Sequence, residues 1–111
     1  MLSLLILLQA FAAHPVAKPF SLNEAQKSQV RAAVGAKLKD PASAQYEWRM
    51  VRDEYIYCGT VNAKNGYGGY SGPKLFAVLY AKNAMSGKLF IGSGSVYIGD
   101  EIAIKMCESI L

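Results

Sequence analysis

Apolar residues recur at helical spacing over residues 21–40, between a helix-start signal and a helix-stop signal. Ser21, followed three residues later by Glu24, is typical of a capping box at a helix N-terminus. Asp40 precedes Pro41, and proline disfavours helical backbone at the residue before it, so the helix is expected to end there. The pattern predicts one apolar stripe of Leu22, Ala25, Val30, Ala33, Val34 and Leu38, opposite a polar face of Gln26, Lys27, Arg31 and Lys37.

The period changes from helical to two at Gln45, where aromatic and polar residues alternate. Residues 74–82 are almost continuously apolar, which is typical of a central strand buried on both faces. The alternation and the turn residues between the segments predict strands over 45–50, 55–63, 74–82 and 88–92, with a continuation of the sheet over 95–98.

A final helix is predicted after Asp100, which can cap its N-terminus. Its apolar face would consist of Ile102, Ala103, Met106, Cys107 and Ile110. A helix, a run of antiparallel strands and a second helix make an α+β fold. We expect an antiparallel sheet of about four strands with both helices on one face, in a single domain over residues 21–111.

The N-terminal apolar run has the features of a secretory signal peptide. Leu4 to Leu8 is unbroken aliphatic sequence, too short for the roughly 20 residues that span a bilayer, and small residues follow it. We expect a signal peptide over 1–13 with cleavage near Ala12 or Ala13; the alternative is a buried N-terminal helix. Residues 14–20 are expected to be extended and poorly ordered. The mature chain is then periplasmic or secreted, with no transmembrane segment.

Cys58 and Cys107 are the only two cysteines in the chain. An even count in an exported protein points to a disulfide, here one that ties the last helix to the second strand. The alternative is a pair of buried free thiols in a cytosolic protein.

Composition narrows the function classes further. A chain of 111 residues with 18% charged residues allows one folded domain and argues against disorder. One His and two Cys exclude most zinc sites, which need about four nitrogen or sulfur ligands, and no cofactor is expected. The net charge is +4, but the basic residues are spread along the chain, so we expect no nucleic-acid partner.

Candidate catalytic residues are few. The carboxylate pairs Asp53–Glu54 and Asp100–Glu101 lie where a turn and a helix N-terminus favour acids, and neighbours in sequence point in different directions. The single histidine, His14, lies beside the predicted cleavage site. We therefore expect no enzyme; a small hydrolase would require the two pairs to face each other across a cleft.

The glycine-rich stretch after the second predicted strand is the strongest candidate for recognition. Tyrosine offers a large amphipathic contact area, while Gly and Asn supply adaptable hydrogen bonding. The candidate binding residues are Asn62, Lys64, Asn65, Tyr67 and Tyr70. The alternative is a structural loop whose tyrosines fold back over the sheet.

Two stretches resemble one protein family when taken together. Residues 38–46, LKDPASAQY, resemble a KDPxSAx[FY] motif, and residues 58–72, CGTVNAKNGYGGYSG, resemble CGxVNAKNx[FY]GGYxG. Both are similar to small, uncharacterised secreted or lipoprotein-like proteins of Gram-negative bacteria and their phages. The resemblance implies an exported bacterial or phage-encoded domain and brings no activity or catalytic residue with it. This chain lacks the lipobox cysteine of the lipoprotein members.

These observations favour a non-enzymatic binding protein of the cell envelope whose segment 62–70 contacts an unknown protein or cell-wall component. One version of this hypothesis is an inhibitor or immunity-type protein. The alternative is a structural component of an envelope or virion assembly, in which apolar strands are docking edges.

Overall fold

The computed structural model describes residues 19–111. The predicted signal peptide over 1–13, and all but the last two residues of the segment over 14–20, lie outside the described residues. The elements in chain order are α1 (Glu24–Gly35), a 3₁₀ turn (Pro41–Ser43), β1 (Gln45–Trp48), β2 (Ile56–Asn62), β3 (Lys74–Leu79), β4 (Ala81–Lys82), β5 (Leu89–Phe90), β6 (Val96–Ile98) and α2 (Glu101–Glu108).

The main sheet has four antiparallel strands in the order β1-β2-β3-β6. β4 and β5 form a separate two-stranded antiparallel sheet. Two helices and an antiparallel sheet of four strands confirm the predicted α+β fold. Cys58 and Cys107 form the predicted disulfide, with their Cα atoms 5.8 Å apart.

The first helix begins two residues later than the Ser21 boundary predicts. Asn23 is the N-cap: its side chain accepts a hydrogen bond from the Gln26 backbone N–H, and the Gln26 side chain accepts one from Asn23. Phe20 exchanges two backbone hydrogen bonds with Val51, which holds the chain extended as it enters the helix. The capping box is therefore real but shifted, because an extended segment precedes it.

The same helix ends at Gly35, before the predicted boundary at Asp40. Gly35 is buried, and a Cβ built on it would lie 3.2 Å from the Cβ of Pro41. The chain thus folds back so that Pro41 packs on the end of the helix, and Lys37 and Leu38 form turns instead of continuing it.

The predicted apolar stripe of the first helix is confirmed at three positions and wrong at Ala25. Leu22, Val30 and Val34 are buried, whereas Ala25 is exposed. Gln26, predicted on the polar face, is buried because its amide donates a hydrogen bond to the Gly87 carbonyl.

The two helices lie on opposite faces of the main sheet, so the prediction that they share one face is wrong. α2 is joined by its disulfide to Cys58, while α1 lies over Trp48, whose ring is 5.2 Å from the Arg31 guanidinium. Trp48 pairs directly with Gly59 and therefore lies on the same face of the sheet as that residue. Cys58 is the neighbour of Gly59 in β2, so its side chain points to the opposite face. Both faces of β2 are therefore covered, and alternation along it carries no information about which helix covers which face.

Aromatic side chains fill the layer between α1 and the sheet. Tyr46 and Trp48 stack at 5.1 Å between ring centroids, and both meet the edge of Phe76. Phe76 rests on Gly59, where an added Cβ would lie 2.8 Å from a ring carbon. The glycine in the middle of β2 is thus needed for close approach of this ring.

The strand boundaries differ from the prediction at two places. β1 ends at Trp48 because the hydroxyl of Tyr57 accepts a hydrogen bond from the Arg49 backbone N–H and donates one to its carbonyl. A side chain thereby replaces the strand partner. The predicted strand over 74–82 is split after Leu79, so the predicted strand over 88–92 pairs with the detached end, as β5, and not with the main sheet.

The C-terminal helix is capped as predicted, since Asp100 accepts a hydrogen bond from the Ala103 backbone N–H at 2.8 Å. Ala103, Cys107 and Ile110 are buried, but Ile102 is about half exposed and does not belong to the apolar face. Neither helix of the described chain has the length and apolar character needed to cross a membrane.

Candidate functional site

The glycine–tyrosine loop, residues 63–73, joins the two central strands of the sheet. Lys64 and Tyr70 form a backbone bridge inside it, and the Ser71 N–H donates to the Ala63 carbonyl. The loop therefore continues the β2–β3 hairpin beyond the ends of its strands, and backbone hydrogen bonds hold its two sides together.

The two asparagines among the predicted binding residues hold this path in place. The Asn65 side-chain oxygen accepts hydrogen bonds from the backbone N–H groups of Tyr67, at 2.8 Å, and Gly69, at 3.3 Å. The Asn62 oxygen accepts one from Gly72, whose φ of 94° is in the region that favours glycine. Their side-chain oxygens are committed to the shape of the loop.

Tyr70 and Lys64 fix the loop to the 3₁₀ turn. The Tyr70 hydroxyl donates to the Ser43 carbonyl at 3.1 Å, and the Ser43 hydroxyl accepts from the Lys64 backbone N–H at 2.9 Å. The Lys64 ammonium lies 5.8 Å from the centroid of the Tyr70 ring. In turn, the Ser43 hydroxyl donates to the Asp40 carbonyl, so the turn is itself braced.

Tyr67 differs from the other four candidates because its side chain is 100% exposed. It stands at the tip of the loop between Gly66 and Gly68, and its own N–H is held by Asn65. The loop thus presents one aromatic side chain to solvent on a fixed backbone. Asn62, Asn65 and Tyr70 thus hold the shape of the loop, and the recognition hypothesis now concerns Tyr67.

A groove of about 690 Å³ lies beside the loop, between it and the chain that follows α1. Lys64, Asn65 and Tyr67 line it, whereas Asn62 and Tyr70 are not among its lining residues. Its other charged residues are Lys37, Lys39 and Lys74, and no acidic side chain is found among the described residues that line it.

These three lysines are not among the binding residues predicted from the sequence. Lys37 and Lys39 follow α1, and Lys74 begins β3, so they are far apart in sequence and meet only in the folded chain. No local motif links them. The one available signal was the excess of basic over acidic residues, a net charge of +4, which does not indicate position.

The carboxylate pairs have structural partners in the described chain. Asp53 accepts hydrogen bonds from the backbone N–H groups of Tyr55 and Ile56, at 2.7 and 2.9 Å, and Asp100 caps α2. Residues 19–111 contain no group of three or more His, Cys, Asp or Glu side chains that could hold a metal ion.

Buried tyrosines show the clearest titration shifts in the domain. Burial raises the pKa of Tyr80 to about 12, and the nearby carboxylates of Asp53 and Glu54 add to the rise. Burial also raises the pKa of Tyr46 and of Tyr57, in each case against the opposing charge of an arginine. Tyr57 and Tyr80 belong to the core, and Tyr46 is half-buried and packs against it.

Comparison of the chain with protein-family models, with curated proteins and with solved structures finds no match. The resemblance of residues 38–46 and 58–72 to exported bacterial and phage proteins therefore stays a prediction.

Proposed function

We propose that this chain is an exported, non-enzymatic binding protein of the bacterial cell envelope, encoded by a bacterium or a phage. Segment 62–70 contacts the partner, and Tyr67 is its principal contact. The observation that carries the proposal is the complete exposure of this tyrosine on a loop whose backbone is fixed on both sides.

An exposed aromatic side chain on a fixed backbone suits recognition for two physical reasons. Tyrosine contributes a large contact area while losing the freedom of only two side-chain angles. The hydrogen bonds that Asn65 and Ser43 make to the loop mean that little backbone ordering is left to oppose binding. A partner with a pocket for one ring would gain most of its affinity from that contact.

Two features support the exported location. The Cys58–Cys107 disulfide is of a kind that persists in oxidising compartments such as the periplasm. The apolar run over 1–13 has the length of a signal peptide. A disulfide-tied sheet that holds a rigid loop is also a suitable framework for an inhibitor or immunity-type protein.

The test is capture of a partner from envelope extract by the purified oxidised protein, compared with Tyr67→Ala. We expect the native protein to retain a partner and the variant to lose at least about nine tenths of it, since a central aromatic contact contributes about 2 kcal/mol or more. Tyr55→Ala is the matched control, because Tyr55 is 66% exposed and lies outside the loop.

Two results would contradict the proposal. Equal capture by the native protein and Tyr67→Ala would remove the tyrosine from the interface. A large fall in the melting temperature of Tyr67→Ala would show that the side chain is structural, against its full exposure.

A structural role in an envelope or virion assembly is the second candidate, favoured by exposed apolar residues in α2 and at the C-terminus that follows it. Ile102 and Ile104 are 49% and 43% exposed, and Leu111 follows at 47%. A concentration-dependent oligomer in light scattering, abolished by Ile102→Lys with Ile104→Lys, would support that role. A monomer at all concentrations would remove it.

A further inference from the structure

The groove beside the glycine–tyrosine loop gathers positive charge from three separate segments of the chain. Lys37 and Lys39 come from the end of α1, Lys64 from the loop and Lys74 from β3. In the described part of the chain, the ion pairs are Lys27–Glu24 and Arg49–Glu47, so none of the four groove lysines is neutralised by a carboxylate. The groove therefore carries four uncompensated cations.

Two of the four lysine stems lie against glycine backbone. A Cβ built on Gly66 would lie 3.8 Å from Lys39 Cδ, so this stem runs beside the loop tip. A Cβ built on Gly99 would lie 3.1 Å from Lys74 Cδ, so that stem lies against the backbone that precedes α2. Packing of the stems against glycine backbone favours positions in which the ammonium groups reach the opening.

Apolar residues also line the groove, namely Leu38, Val61 and Ile98. Val61 is already buried, whereas Leu38 and Ile98 are half-buried, so a ligand that offered charge alone would leave these two partly uncovered. The combination of cations and apolar surface calls for an occupant that carries both carboxylates and aliphatic side chains.

We propose that this groove binds an acidic segment of a partner protein, with Asp or Glu carboxylates at the lysines and an aliphatic side chain on the apolar surface. This inference rests on the proposed function, since Tyr67 lines the same groove and would contact the same segment. The proposed function says where the partner binds, and this inference adds that the bound segment is acidic and aliphatic.

A nucleic acid is a poorer fit than an acidic protein segment. No arginine lines the groove, although arginine is the side chain that recognises phosphate with two parallel hydrogen bonds. A phosphodiester backbone would also leave Leu38 and Ile98 exposed. In addition, the disulfide indicates a compartment in which an exported protein rarely meets nucleic acid.

The experiment measures fluorescence anisotropy of a labelled peptide of alternating Glu and Leu with the oxidised protein at low salt. A second peptide has Gln in place of each Glu, and a single-stranded oligonucleotide of equal charge is the third probe. The groove variant is Lys37→Gln, Lys39→Gln, Lys74→Gln. Its control, with the same net charge, is Lys82→Gln, Lys88→Gln, Lys105→Gln, whose positions are not among the groove lining.

We expect the Glu peptide to bind, the Gln peptide to bind at least about tenfold more weakly, and raised salt to weaken binding of the Glu peptide. The groove variant should lose about tenfold in affinity, and the control variant less than about twofold. Equal binding of the two peptides, equal loss in both variants, or no binding at all would overturn the inference. Tighter binding of the oligonucleotide would overturn it in favour of a nucleic-acid partner.

The outcome separates this inference from the proposed function. An envelope partner that Tyr67→Ala loses and the groove variant keeps would leave the binding role standing and remove the acidic chemistry. We expect both lysine variants to fold, because all six substituted lysines are exposed. Circular dichroism and thermal melting of each variant check this.

Discussion

The hydroxyl of Tyr70 donates a hydrogen bond to the backbone carbonyl of Ser43, which lies 27 residues earlier in the chain. The Ser43 hydroxyl also accepts one from the Lys64 backbone N–H. These bonds join the two stretches, 38–46 and 58–72, on which the predicted family resemblance rests. A turn and a loop that are distant in sequence thus form a single structural unit beside the groove.

Removing the Ser43 hydroxyl, which bonds to both the loop and the turn, should loosen the loop without unfolding the domain. Ser43→Ala leaves the Lys64 N–H and the Asp40 carbonyl without their partner, so we expect a loss of about 1–2 kcal/mol in the free energy of unfolding. Urea denaturation measures this loss, and faster amide exchange at Lys64 locates it. Ser93→Ala, at an exposed position, should leave both quantities unchanged; an unchanged Lys64 exchange rate in Ser43→Ala would contradict the assignment.

A methyl group at Gly59 should destabilise the sheet. It would lie 2.8 Å from both the Glu47 carbonyl oxygen and a ring carbon of Phe76, so strand or ring must shift. We expect Gly59→Ala to lower the free energy of unfolding by about 1–3 kcal/mol. Gly94→Ala is the control, since no heavy atom lies within 4 Å of its added Cβ. Equal stability of the two variants would show that the Phe76 ring moves aside freely.

Loss of the disulfide should be the largest single effect. The bond closes a loop with a sequence separation of 49, for which chain entropy gives about 4 kcal/mol. Cys58→Ala with Cys107→Ala should therefore show a much lower denaturation midpoint, and a reducing agent should lower the midpoint of the native protein only. A reductant effect on the double variant would point to a cause other than the bond.

The hairpin of β4 and β5 should depend on one side chain of α1. Gln29 accepts a hydrogen bond from the Leu89 N–H at 2.9 Å and donates one to its carbonyl at 2.8 Å, as a neighbouring strand would. Gln29→Ala leaves both backbone groups unpaired, so we expect a loss of about 2 kcal/mol and rapid amide exchange at Leu89. Gln45→Ala, at an exposed position of β1, is the comparison; protection of Leu89 in both variants would contradict the role of Gln29.

Stability should fall at alkaline pH because of Tyr80. Its pKa is raised from 10.0 to about 12 in the folded protein. Below pH 10 the phenol is protonated in both states, so stability does not change. Between these values the unfolded chain releases the proton first, which favours unfolding with a limiting slope of about 1.4 kcal/mol per pH unit.

Tyr80→Phe removes the contribution of this phenol, whereas Tyr46 and Tyr57, whose pKa is also raised, keep theirs. Urea denaturation between pH 8 and 11.5 should therefore show a shallower slope in this variant than in the native protein. The exposed Tyr55→Phe is the control variant. An identical slope in Tyr80→Phe and the native protein would show that this phenol is not the group responsible.

The architecture was predictable where local signals agreed with tertiary contacts. Alternation after Gln45, the apolar run that begins β3, the Asp100 cap and the cysteine pair each indicated an element or a bond that the structure contains. The helix start was not, because Ser21–Glu24 and Asn23–Gln26 are overlapping capping boxes. The choice between them depends on the long-range bridge from Phe20 to Val51.

The faces of the sheet that the helices cover, and the groove, could not be predicted from the sequence for a different reason. Tyr57 and Cys58 are adjacent and both fully buried, so neither face of β2 reads as the solvent side. The lysines of the groove come from three segments whose meeting depends on Pro41 packing against Gly35. By contrast, the presence of a loop over residues 63–73 was predictable, because its glycines and asparagines are consecutive in the sequence. Its hydrogen bonds to Ser43 were not, since that residue is distant in sequence.

The disulfide connects two parts of the chain that lie on either side of the glycine–tyrosine loop. Cys58 comes before the exposed Tyr67 and Cys107 after it. A protease that cut the peptide bond after this tyrosine would therefore yield two polypeptides still joined by a covalent bond. Under oxidising conditions such a nicked molecule would keep its mass apart from one added water, and the fragments would separate only after both reduction and denaturation.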